Sequence, residues 1–116
     1  MKMQAFEISE IEQDRRKLQK SYLEFFRENS LSVGLYVLRA GEGDSQQPHT
    51  EDEVYYVMGG KGQIDVAGEN RPISQGSVVF VPANVKHQFH RVTEDLSLLV
   101  FFAPSEYANA LKSETA

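Results

Sequence analysis

The sequence predicts an all-β sandwich or barrel preceded by one helix, and two observations carry that reading. Between residues 31 and 104, short runs rich in Val, Ile, Leu, Tyr and Phe alternate with Gly, Pro, Asn and Asp punctuation. That gives roughly six to eight strands with no helical pattern between them. Before residue 31, apolar residues recur instead at three- and four-residue steps. A chain of 116 residues suits one domain with one core. The expected organisation is a helix over residues 1–30, a β-barrel over 31–104 and a short, partly helical tail over 105–116.

Ser9 followed by Glu12 is a capping-box pattern and sets the expected start of the helix. Ile8, Ile11, Leu18, Tyr22, Phe25 and Phe26 then form one apolar stripe, interrupted by Arg15, whose aliphatic stem can lie along it. From Leu31 the character changes. LSVGLYVLRA is β-branched and aromatic on both faces, which implies burial on both sides. Gly41, Gly43 and Asp44 open a loop, EVYYVM is a second strand, and GGKG reads as a turn into QIDVA. GGKG lacks the spacing of a phosphate-binding loop. AGEN with Arg71 and Pro72 reads as the next turn, followed by strands SVVFVP, HQFHRV and LSLLVFFAP. The last is apolar on both faces: one fills the barrel, and the other needs a helix or a second subunit. A homodimer is therefore expected.

Composition narrows the function. The net charge of −5 argues against a nucleic-acid partner, since the basic residues are interspersed with Glu12, Asp14 and Glu24. With no cysteine there is no disulfide, thiolate nucleophile or zinc–thiolate site. No apolar run approaches membrane-spanning length, and the N-terminus has no apolar leader core, so a cytoplasmic protein is expected.

The chemistry gathers in two stretches, GEGDSQQPHTEDEVYYVMGG from Gly41 and GSVVFVPANVKHQFHR from Gly76. Gln47, His49 and Glu53 are spaced by two and four residues, so in extended chain they share one face. Glu51 has the same parity but falls where a loop is expected; Glu51 and Asp52 read as solvated loop residues. His87 follows a Pro-Ala-Asn turn in a distant hairpin. Two imidazoles and a carboxylate that converge can hold a divalent first-row metal and leave positions open for substrate. Gln47 would be a weak fourth ligand or line the pocket. Tyr55 shares the face of Glu53 and could serve as a proton donor, although packing is the commoner role of an inward tyrosine. His90 has the opposite parity to His87 and should face outward. Arg91, if inward, could meet a substrate carboxylate or a local acid.

These stretches resemble the two motifs of the cupin superfamily. The first family motif is Gly, five residues, His-any-His, three or four residues, Glu, six residues, Gly; here Gly41, Gln47, His49, Glu53 and Gly60 keep those intervals. The second is Gly, five residues, Pro-any-Gly, two residues, His, three residues, Asn; here Gly76, Pro82, Asn84, His87 and Arg91 keep them. Gln47 replaces the first His, Asn84 replaces Gly and Arg91 replaces Asn. Asn tolerates a left-handed turn, so that exchange is mild. The resemblance implies a double-stranded β-helix (jelly-roll) barrel, commonly dimeric. It also implies one divalent ion (Fe, Mn, Ni or Zn) on Gln47, His49, Glu53 and His87, and a small-molecule ligand or substrate. A dioxygenase, an isomerase or lyase, and a non-catalytic binding or scaffold barrel all fit it.

Overall fold

The computed structural model describes residues 2–44 and 48–110, so the expected ligand Gln47 and the end of the expected helical tail lie outside the described residues. Helix α1 (Ile8–Leu18) is followed by strands β1 (Tyr22–Glu28), β2 (Leu31–Leu38), β3 (Asp52–Val66), β4 (Glu69–Ser74), β5 (Val78–Val81) and β6 (His87–Ala103). Every pairing is antiparallel, in the order β1-β2-β6-β3-β4, with β5 also on β3. Strands β3 and β6 are the long central pair. One edge of β3 follows β6 throughout; the other takes β5 over residues 53–56 and β4 over 61–66. The result is the expected double-stranded β-helix, its interior filled by side chains such as Leu38, Val57, Ile64, Phe89, Leu96 and Leu98.

Five expectations need correction. The helix does not reach residue 30. Gln19 adopts a left-handed conformation (φ 54°), and the Gln19 and Lys20 N–H groups close on the Arg16 and Arg15 carbonyls, a C-terminal cap. Tyr22, Phe25 and Phe26 therefore lie on β1, where aromatic residues are favoured and their spacing fits a pleat as well as a helix. Nor does Ser9 cap the helix. Glu7 holds that position without a side-chain bond, and Glu12 pairs with Arg15 and Arg16 instead.

The GGKG segment is not a turn but the bent middle of β3, where the register against β6 shifts three times between Val57 and Gln63. Gly60 has φ 95°, and a Cβ there would overlap the Asp95 carbonyl, so glycine is what lets the two strands cross so closely. The turn between β3 and β4 is Ala67-Gly68, both at positive φ. Arg71 and Pro72 lie within β4, an edge strand where the missing proline N–H is tolerated. Likewise HQFHRV and LSLLVFFA are one strand, β6, carried through a left-handed Arg91 (φ 48°).

Helix α1 packs on the outer face of β1 and β2, with Ile11 its buried residue. Beneath lie the outward, buried Val33 and Leu35 of β2. The outer face of β3, β5 and β6 is left open, and there Tyr56, Val78 and Phe80 are exposed. No helix among the described residues is long and apolar enough to cross a membrane.

Candidate metal centre

Three elements deliver the three residues. His49 lies just before β3, Glu53 is the second residue of β3, and His87 is the first of β6. The His49 carbonyl accepts a 2.6 Å bond from the Asn84 N–H, tying the two stretches together at backbone level. Asn84 sits at φ 65°, the left-handed conformation its glycine-like position calls for. Asp52 is exposed but not idle, since its side chain accepts from the Ala83 N–H at 2.9 Å and so holds the same turn. Below the loop, buried Asp44 accepts from the Tyr36 hydroxyl and the Phe89 N–H, fixing the chain that leads to His49 against the barrel.

His49, Glu53 and His87 are all buried, and each offers a ligand atom within 4.8 Å of the others. His87 Nδ1 lies 3.0 Å from the Val85 carbonyl, which can only accept. Nδ1 donates there, and Nε2 faces Glu53 Oε1, 3.2 Å away. Burial opposes a charged imidazole there, but the Glu53 carboxylate and the Val85 carbonyl outweigh it and raise the His87 pKa. His49 Nδ1 faces Glu53 Oε1 at 3.7 Å. Four buried atoms thus gather without a well-formed hydrogen bond, facing only one another: His49 Nδ1, His87 Nε2 and both Glu53 oxygens. An unsatisfied buried polar group costs about 1–3 kcal/mol, and more when charged. A cluster of two imidazole nitrogens and a carboxylate whose lone pairs converge is the donor set a first-row divalent cation takes up. The residues fit such an ion.

The family model for the cupin domain matches residues 34–102, more than half of the chain. The chain belongs to the cupin family. An uncharacterized protein of Streptomyces coelicolor is 50% identical to this cupin over 104 residues, spanning 90% of this chain and 99% of that one. Among solved structures, an RmlC-like cupin with a double-stranded β-helix fold from Methanocaldococcus jannaschii matches with a TM-score of 0.68 at 18% identity, covering 78% of this chain and 84% of that one. A salicylate 1,2-dioxygenase from Pseudoaminobacter salicylatoxidans, in complex with gentisate, matches with a TM-score of 0.73 at 16% identity, covering 90% of this chain but 33% of its own. At such identities the structural matches establish the fold alone.

The other expected residues divide. Tyr55 is fully buried, with its ring 6.0 Å from that of His87 and edge-on to Phe89 at 4.8 Å, so it does belong to the inner wall. His90 points outward, as its parity implied, and bonds Asn70 on β4. Arg91 is exposed rather than inward: its left-handed bulge conformation breaks the alternation that counting from His87 assumes. Glu51 is buried, not solvated. Its carboxylate accepts from the Thr50 hydroxyl and from the Tyr107 and Asn109 N–H groups at 2.6 and 2.9 Å.

Two residues at this cupin's site were not singled out for it in the sequence. Glu106, in the tail, lies against His49, with Oε2 3.1 Å from Nε2. Tyr22, taken above for a helix residue, points inward from β1, and its buried hydroxyl has no hydrogen-bond partner. Burial first, then the nearby Glu106, Glu24 and Glu53 carboxylates, push its pKa well up, so the phenol stays protonated. Its ring occupies the space that a side chain on Gly34 would need. A glycine inside an apolar strand is the faint signal that another group approaches closely there.

Proposed function

We propose that this cupin binds one divalent first-row metal ion through His49, Glu53 and His87 and acts on a small organic molecule held beside it inside the barrel. The observation that carries the reading is the convergence of four buried, unpartnered atoms on these three residues. Gln47 is the proposed fourth contact, on its sequence position alone. Three protein ligands leave coordination positions for a substrate. When bound, iron would supply oxygen-activating, dioxygenase-type chemistry, and manganese, nickel or zinc would supply Lewis acidity for isomerase or lyase chemistry.

The chain's own groups define the rest of the task. Val85 and Glu53 orient His87, and the ring of Phe102, 4.7 Å from that of His49, closes the apolar wall behind it. Tyr22 is a protonated donor with no protein partner, suited to hold an oxygen of the bound molecule. Tyr55 is the proposed second polar group on that wall.

A second copy of the chain is the proposed cover for the open sheet face. There Val78 and Phe80 of β5 lie opposite Tyr56 and Val54 of β3, next to Leu99 and Phe101 of β6.

The ligand assignment is tested by His87→Ala. Equilibrium binding of zinc or iron, followed by desalting and elemental analysis, should fall from about one equivalent to near zero while the circular dichroism spectrum stays that of a folded β-protein. Full occupancy in this variant would refute the site. Stoichiometric metal without turnover on any small acid or phenol would favour a ligand-binding role over an enzymatic one.

A further inference from the structure

The tail segment that carries Glu106 is held more firmly than its position in the chain suggests. The Glu106 N–H donates to Ser32 Oγ at 2.9 Å, and the Glu106 carbonyl accepts from Arg27 Nη2 at 2.8 Å. One residue earlier, the Ser105 N–H reaches the Asn29 carbonyl. One and three residues later, the N–H groups of Tyr107 and Asn109 end on the buried Glu51 carboxylate. The Asn109 side chain adds a bond to the Thr50 carbonyl. Strand β1, the β1–β2 turn, strand β2 and the approach to β3 thus all fix a single short stretch, and that stretch aims one side chain at His49.

The consequence for His49 follows from simple donor and acceptor logic. A carboxylate accepts and does not donate. Glu106 Oε2 lies 3.1 Å from His49 Nε2, whereas Glu53 Oε1 is 3.7 Å from Nδ1, beyond hydrogen-bond reach; the neutral ring therefore carries its proton on Nε2 and its lone pair on Nδ1. Nδ1 is the nitrogen that faces Glu53 and has no partner of its own. Without Glu106 the neutral ring would be free to carry its proton on Nδ1, which leaves no lone pair for a cation.

We infer that Glu106 is a positioning residue of the metal centre: it fixes the tautomer and the orientation of His49 from the C-terminal tail, while the Val85 carbonyl orients His87. This rests on the metal-binding reading above and adds to it a residue that does not ligate. Outer partners of this kind change metal affinity by about 10- to 100-fold when removed. The backbone bonds to Ser32, Arg27 and Glu51 do not involve the Glu106 side chain, so a substitution there leaves the tail anchored.

The test uses the full chain as Glu106→Ala and Glu106→Gln, with two measurements. In metal-free protein, long-range proton–nitrogen NMR of the imidazoles, assigned by loss of one set in His49→Asn, reports the tautomer directly. His49 should be Nε2-protonated in the wild type, a mixture in Glu106→Ala, and again Nε2-protonated in Glu106→Gln, whose amide oxygen still accepts. Zinc affinity by chelator competition should fall about 10- to 100-fold in Glu106→Ala and less than about 10-fold in Glu106→Gln. An unchanged His49 tautomer in Glu106→Ala, or a zinc affinity within about twofold of wild type, would overturn the inference. If the wild type bound no metal, the metal reading would fail by itself, and the tautomer measurement would still decide what Glu106 does.

Discussion

At the scale of single residues, the two imidazoles of the site are arranged alike although one comes from the loop before β3 and the other from β6, and they use different nitrogens. His87 Nδ1 is held by a backbone carbonyl and His49 Nε2 by Glu106, so each ring presents its other nitrogen to Glu53. A shared geometry of this kind is hard to account for as core packing, because packing is better served by satisfied or apolar groups. Glu51 makes the complementary case. It lies two residues from both His49 and Glu53 and is equally buried, yet its carboxylate is saturated by three donors and points at the tail. Hydrogen bonds to a charged group are worth about 1.5–3 kcal/mol each. Glu51→Ala should therefore lower the thermal midpoint by several degrees and also weaken metal binding, since it releases the segment that holds Glu106. Differential scanning calorimetry with and without zinc would check this. An unchanged midpoint would mean that the tail is held by its other bonds.

The residues also show what was legible in the sequence and what was not. His49, Glu53, His87 and Tyr55 could be placed on one inner surface because strand alternation is strict over short, regular runs. Arg91 could not, because a single left-handed residue inverts the parity of everything counted through it. Glu106 and Glu51 make contacts across more than fifty positions, and no local pattern encodes a carboxylate that meets a histidine or an N–H group at that separation.

At the scale of elements, local periodicity identified the strands but not their continuity. Four expected strands proved to be two, β3 and β6, each running through a bulge. The glycines of GGKG were read as punctuation, when in a strongly bent barrel they and the left-handed Arg91 are the hinges that let a strand continue. The N-terminal helix was overextended for a related reason. YLEFFRE has apolar residues on both sides, so its recurrence satisfies a helical count, and only the left-handed Gln19 separates helix from strand. That boundary matters to the site: as part of β1, Tyr22 is carried inward, and Arg27 reaches the tail.

At the scale of the whole molecule, the sheet is covered unevenly. Helix α1 shields the β1 and β2 end, while the β5–β3–β6 face presents Val78 at 64% exposure and Phe80 at 57% beside Tyr56. Isolated apolar residues on a surface are ordinary, but a contiguous strip across three strands is the pattern of an interaction face. Phe80→Glu should convert the proposed dimer to a monomer of 13.1 kDa in light scattering, without loss of metal binding. A wild type that is already monomeric at micromolar concentration would contradict the dimer. The same strip would then belong to a different partner.

The central claim is that the inner end of this barrel exists to hold a metal ion. The most direct measurement is the metal content of untagged protein purified without added metal, by inductively coupled plasma mass spectrometry. The account predicts close to one equivalent of a first-row divalent metal, lost in His87→Ala. No bound metal, in the protein as purified and after incubation with iron, manganese, nickel and zinc in turn, would contradict it.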